Sequence, residues 1–133
     1  MILEIFTPDQ KILSKEIEEC TAPGFEGEFG VLPDHAPYFV KIKTGRVKFN
    51  EKGEENYLVV SKGFSEVTGE KVTILTERVV FSSKIDFEKI NKEKNEAEEK
   101  IKGLLQEDEE YEKTIEDLNW AIACIEVAKE GGK

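Results

Sequence analysis

The 133-residue chain holds one histidine, one tryptophan, one methionine and two cysteines. With His35 alone, and Cys20 and Cys124 on segments of different pattern, no group of residues has metal-ligand spacing. The same scarcity leaves no Ser-His-Asp or Cys-His set for nucleophilic catalysis. Basic residues are also in deficit: 19 Lys and Arg stand against 29 Asp and Glu, a formal charge of −10. That balance argues against nucleic acid, whose phosphates need a basic face, and against direct docking on anionic lipid. No apolar run approaches the roughly 20 residues of a spanning helix. Contact with a membrane is therefore expected through another protein. Met1 leads straight into Ile2–Phe6, which reads as a strand rather than a leader. The two cysteines are accordingly expected to be buried free thiols in a reducing compartment.

What is there divides in two. Residues 1–84 carry 14 acidic and 11 basic side chains, a net of −3, whereas residues 85–133 carry 15 and 8, a net of −7. In the first part, Tyr38, Val40 and Ile42 alternate with Phe39, Lys41 and Lys43, and Val47 and Phe49 alternate with Arg46, Lys48 and Asn50. Turn signals at Thr44-Gly45, Glu51-Lys52-Gly53-Glu54, Lys62-Gly63 and Thr68-Gly69-Glu70-Lys71 break the series every eight to ten residues. Period-two alternation at that spacing predicts antiparallel strands closing into a sandwich or barrel, complete by about Phe81. After Ser82-Ser83 the period changes. Phe87, Ile90, Ala97, Ile101 and Leu104 form one amphipathic stripe, with Asp86 as N-cap. Tyr111, Ile115, Leu118, Ile122 and Ile125 form a second, with Asp108 as its cap and Gln106-Glu107 as the link. The expected fold is α+β: an N-terminal antiparallel β-sandwich (residues 1–84) followed by a C-terminal antiparallel two-helix hairpin (residues 85–133). The hairpin has few large apolar residues and is expected to be marginal alone, an arrangement suited to changing position.

The most specific motif lies in residues 22–37, Ala-Pro-Gly-Phe-Glu-Gly-Glu-Phe-Gly-Val-Leu-Pro-Asp-His-Ala-Pro, where three glycines and three prolines force tight turns. This stretch resembles the epsilon subunit family of bacterial and plastid F-type ATP synthases, which carries a segment close to Glu-Gly-Glu-x-Gly-x-x-Pro-x-His-Ala-Pro. The likeness continues at Lys43-Thr44-Gly45 and at Ser61-Lys62-Gly63-Phe64-Ser65-Glu66-Val67, and is strongest over residues 22–82. The resemblance implies a non-catalytic rotor subunit of a proton- or sodium-translocating synthase, peripheral on the cytoplasmic face of the bacterial membrane. Its sandwich would grip the gamma subunit and rest on the c-ring. Its helices would either fold against the sandwich or extend into the alpha/beta catalytic head and inhibit ATP hydrolysis.

Individual residues admit two readings each. Glu26 and Glu28 form either a carboxylate pair for acid/base chemistry or, as the resemblance implies, part of the loop meeting the c-ring. His35 in the same loop is either a base without a partner or an interface residue at the c-ring and gamma. Some members of the family bind regulatory ATP through an Asp-x-x-Arg-Ala motif at the start of the first helix. Here Asp86 is kept, but Lys89 and Ile90 replace Arg and Ala, and residues 85–133 contain no arginine. Lysine lacks the planar fork that holds phosphate bidentately, so no cofactor is expected and Asp86 also reads as a plain cap. Trp120, Ile122 and Ile125 are candidates for contact with the catalytic head, and Trp120 reads equally as packing on the sandwich or the first helix. Basic residues in the second helix of relatives face an acidic segment of the beta subunit. Here that helix is acidic, so like charges would oppose the contact. Three functions therefore stand side by side: a rotor coupling subunit, a ligand sensor whose hairpin ATP holds folded, and a freestanding sandwich enzyme or binding module.

Overall fold

A computed structural model describes residues 1–33 and 36–131 of the chain. Ten strands come first: β1 (Ile2–Phe6), β2 (Lys11–Glu16), β3 (Glu19–Gly24), β4 (Gly27–Val31), β5 (Tyr38–Ile42), β6 (Gly45–Glu51), β7 (Glu54–Val60), β8 (Gly63–Val67), β9 (Lys71–Thr76) and β10 (Val79–Phe81). A 3-10 turn at Ser82–Lys84 leads to helices α1 (Phe87–Lys102) and α2 (Glu109–Gly131). The strands pair in the order β10-β7-β6-β3-β5-β8-β9-β1-β2, with β4 added to β3. One layer passes into the other where β3 touches β5 through the single pair Gly24–Ile42. The fold is the expected sandwich followed by two helices. Its pairing is antiparallel except where β1 runs parallel to β9, Ile2–Phe6 lying alongside Lys71–Leu75. Alternation marks faces, not strand direction, so that pair was invisible in the sequence. The Gly/Pro-rich stretch also holds more regular structure than its turn signals suggested, since β3 and β4 pair along their whole length.

The expected turns fall where the chemistry puts them. Glu51 pairs with Glu54 across a two-residue turn in which Lys52 and Gly53 have φ of 53° and 83°. That doubly positive turn matches the right-handed twist of the strands it joins. The inward side chains of the sandwich form one cluster that includes Leu3, Ile5, Ile42, Val47, Leu58, Val67, Val72 and Ile74, all fully buried. Cys20 lies in that cluster and burial pushes its thiol up to about 12. At one end, buried Ser61 and Thr76 make a polar knot. The Thr76 hydroxyl donates to the Ser61 carbonyl at 2.7 Å, and the Arg78 N–H donates to Ser61 Oγ at 2.9 Å. Ser61 N–H returns the bond to the Arg78 carbonyl at 3.0 Å, so the β9–β10 corner is pinned from both sides.

The outer face of β6, β7 and β10 is covered by α2, with α1 packed on α2 in turn. Asp86 caps α1 as expected, its Oδ1 accepting the Lys89 N–H at 3.1 Å. Other local expectations need correction. The helices are joined by residues 103–108, a longer link than Gln106-Glu107, and Leu104 lies in it rather than on a helix. Phe87 is exposed. Asp108 Oδ2 accepts from the Leu105 N–H at 2.8 Å, which closes the link backwards instead of reaching forward into α2. The apolar stripe of α2 is also placed differently. Its buried residues are Thr114, Ala121, Ala123, Cys124 and Val127, while Ile122 is 38% exposed. A helix lying between a sheet and another helix is approached from two sides, and small residues allow both neighbours close.

Candidate interaction surfaces

Three surfaces carry the residues singled out in the sequence. The first is the tip of the β3–β4 hairpin. Gly24 pairs with Gly27 across the two-residue turn Phe25-Glu26, and Gly27 sits at φ 137°, which disfavours any side chain there. Glu26 is therefore exposed at the apex. Glu28, also exposed, lies on β4 and pairs with Arg46 across 3.5 Å. Neither carboxyl is buried. His35 lies outside the described residues.

The second surface was not anticipated. On β5, β8 and β9 the outward register brings Phe64 beside Lys41 and Leu75, with Phe39 beside Glu66. Phe39 is 66% exposed, Phe25 64%, Leu75 49% and Phe64 44%. Phe39 and Phe64 stack with ring centroids 5.6 Å apart, and the Lys41 ammonium stands 5.0 Å over the Phe25 ring. The next outward position across β1 is Phe6, opposite Leu75. Several large apolar side chains gathered on one open sheet face mark an interaction site more strongly than scattered ones do. The signal was present in β5, where Phe39 shares its outward register with Lys41, an apolar ring where alternation calls for a polar residue. A groove of about 1450 Å³ runs from Phe25, Phe64 and Leu75 past Thr44 and Arg78 to Ile122 and Glu126 on α2.

The third surface is the hairpin. Asp86 and Lys89 are both exposed, and the Asp86 carboxylate is already engaged as a helix cap. Trp120 and Ile125 pack at the margin of the cluster formed by Val59, Ile90, Ala121, Cys124 and Val127. The Arg78 guanidinium lies over the Trp120 ring at 5.6 Å. Ile122 points away into the groove. The folded hairpin thus does not present Trp120, Ile122 and Ile125 together. Cys124 is buried between α2 and its neighbours, and burial, with Glu93 adding to it and Arg78 opposing it, pushes its thiol up to about 12. Neither cysteine is disulfide-bonded and neither is a ready nucleophile. Among the described residues, no three His, Cys, Asp or Glu side chains gather to hold a metal ion.

Comparison with known proteins identifies the family. Residues 1–82 match the family model described as ATP synthase, Delta/Epsilon chain, beta-sandwich domain. A chain of Magnetococcus marinus named ATP synthase epsilon chain is 39% identical over 123 residues, covering 92% of this chain and 90% of the relative. One of Geotalea daltonii with the same name is 36% identical over 131 residues, covering 98% and 95%. The chain belongs to the ATP synthase epsilon chains. A chain in the cryo-EM structure of the Euglena gracilis mitochondrial ATP synthase (OSCP/F1/c-ring, rotational state 1) superposes with a TM-score of 0.80 at 28% identity. It is covered to 81%, against 98% of this chain. A chain of the Tetrahymena thermophila mitochondrial synthase, in a structure of central stalk and c-ring, shares the fold with a TM-score of 0.59 at 11% identity. Membership removes the freestanding enzyme from the three functions and agrees with a subunit that catalyses nothing by itself. Among the described residues no helix is long and apolar enough to cross a membrane.

Proposed function

We propose that the chain is the coupling subunit of the synthase rotor, with residues 1–84 as a gamma- and c-ring-binding module and residues 85–133 as a regulatory arm. The observation that carries this reading is the open apolar face of Phe25, Phe39, Phe64 and Leu75, which the hairpin leaves uncovered. Such a face is suited to the gamma subunit, because stacked aromatic rings give a large rigid contact with few rotamers to freeze. The acidic apex, Glu26 and Glu28 with His35 beyond it in sequence, is assigned to the c-ring. The complex sits on the cytoplasmic face of the bacterial membrane and moves protons or sodium ions. This chain touches neither nucleic acid nor lipid directly.

The folded hairpin is read as the position that permits hydrolysis, and an extended hairpin reaching the alpha/beta head as the inhibiting one. Packing of Trp120 and Ile125 against the hairpin–sandwich cluster supports this, since each side chain is half-covered until release. Regulatory ATP has no part in the proposal, because the Asp86 carboxylate is taken by the α1 cap and no arginine stands nearby in the hairpin. Mixing the purified chain with gamma tests the core of the reading. A stoichiometric complex by size exclusion is expected, and two species that elute separately at micromolar concentration would overturn it.

A further inference from the structure

The fully buried part of the hairpin's hold on the sandwich is made of small residues, with Trp120 and Ile125 half-buried at its margin. Ala121, Cys124 and Val127 meet Val59, and none of the three brings a long side chain to the seam. Around them stands a ring of charge. The Arg78 guanidinium pairs with Asp117, which also faces Lys113 at 3.8 Å, and the same guanidinium covers the Trp120 ring. One residue earlier on α2, Glu116 accepts from the Thr44 hydroxyl at 3.3 Å and pairs with Lys62 at 3.8 Å. The basic partners all belong to the sandwich or its corners except Lys113, and the acidic partners all belong to α2. Arg78 is the best fixed of them. Its backbone N–H and carbonyl are both bonded to Ser61, and Ser61 is bonded to Thr76 in the buried knot beneath. A side chain on a pinned backbone loses less freedom when it forms its contacts.

We propose that Arg78, braced by the Ser61–Thr76 knot, is the latch that holds the helical arm on the sandwich, with Lys62–Glu116 as its second point. Release of the arm is then tuned by ionic strength and by the charges at residues 116 and 117. Two of the acidic residues of α2 gain a purpose in this arrangement: Glu116 and Asp117 face the sandwich's basic residues in the folded form. The proposal rests on the reading of the hairpin as a movable arm, and deepens it by naming what must break.

The two cysteines give the test. Cys124 is 1% exposed on the inner face of the arm and Cys20 is 2% exposed inside the sandwich, so each thiol reports a different opening. Under native conditions the alkylation rate of a buried thiol follows the open fraction even when that fraction is small. On the full chain with iodoacetamide, Arg78→Ala is expected to speed labelling of Cys124 by about three- to thirtyfold, the ratio for losing one exposed ion pair and one exposed cation–π contact together. Labelling of Cys20 should not change. Asp117→Asn, which lies on the arm and cannot unfold the sandwich core, should speed Cys124 by about two- to fivefold. Raising sodium chloride from about 0.01 to about 1 M shortens the screening length from roughly 30 to 3 Å and should speed Cys124 in the unsubstituted chain. Unchanged Cys124 rates in both variants, a salt-independent rate, or equal acceleration of Cys20 would each overturn the latch. The readout needs no synthase, so its failure would leave the inhibitory arm untouched. Failure of the inhibitory reading would appear instead as hydrolysis indifferent to removing residues 85–133.

Discussion

Replacing Gly63 by alanine should break the sandwich beside its aromatic face. Gly63 opens β8 and pairs with Thr76 on one side and Ile42 on the other. A Cβ placed there would lie 1.9 Å from the Leu75 carbonyl oxygen and 3.1 Å from the Thr76 Cα. Ordinary contact begins near 3.5 Å, so β9 must retreat by about 1.5 Å, and the obstacle is backbone that no rotamer change can move. A retreat of that size stretches the nearby ladder bonds beyond hydrogen-bonding range and opens the core at Ile74. Two strained or orphaned backbone bonds at about 1–3 kcal/mol each, plus loosened packing, give a loss of roughly 3–6 kcal/mol. Against a total of about 5–15 kcal/mol, that is a large share. Urea unfolding followed by circular dichroism measures it, with Gly30→Ala as the control. At Gly30 the nearest atom to a new Cβ is Thr21 Cγ2 at 3.7 Å, so that change should fall within about 1 kcal/mol of the parent. If Gly63→Ala also falls within about 1 kcal/mol, the steric reasoning is wrong.

Three further outcomes are expected. The chain truncated after Lys84 should stay folded and bind gamma, because the sandwich core is closed without the helices. It should also be less soluble, since Val59, now fully buried under the arm, becomes exposed; an unfolded far-ultraviolet spectrum would contradict this. Isothermal titration of the whole chain with ATP should give no binding in the micromolar range, and a micromolar dissociation constant abolished by Asp86→Ala would show that the helix cap doubles as a ligand site. Alkali should destabilise the fold through the thiols. Burial raises Cys20 from 9.0 to about 12, so the folded state keeps a proton that the unfolded state gives up. Stability is then undiminished below pH 9 and falls as pH rises from 9 towards 12. Cys20→Val should flatten that decline in urea midpoints taken at pH 8 and pH 10.5, and an unaltered slope would contradict the assignment.

The legible parts of the molecule were those governed by neighbours in sequence. Alternation in β5 and β6, the turn at Lys52-Gly53 and the cap at Asp86 depend on a few adjacent residues, and each is where the chain places it. The illegible parts depend on what arrives from elsewhere. The parallel pairing of β1 with β9 joins strands separated by most of the sandwich. The buried face of α2 follows from its being enclosed by β7 and α1, so a stripe chosen by side-chain size selected Ile122 and passed over Thr114 and Cys124. Arg78 carried no motif at all. Its importance comes from a corner pinned by Ser61 and Thr76 and from a helix 39 residues further along the chain. The aromatic face lay between these cases. Phe39 was visible as a ring on a polar register, but the stack with Phe64 required the pairing of β5 with β8.

The sharpest single measurement is the affinity of the chain for gamma with Phe39 and Phe64 both changed to aspartate. Both side chains point outward, so the fold should survive and circular dichroism should be unchanged. Central aromatic anchors contribute about 2 kcal/mol or more each on truncation, so the pair should weaken binding by at least a hundredfold. The doubly substituted chain is expected to elute apart from gamma at concentrations where the parent forms a complex. A folded double variant that binds gamma as tightly as the parent would contradict the assignment of this face to the rotor stalk.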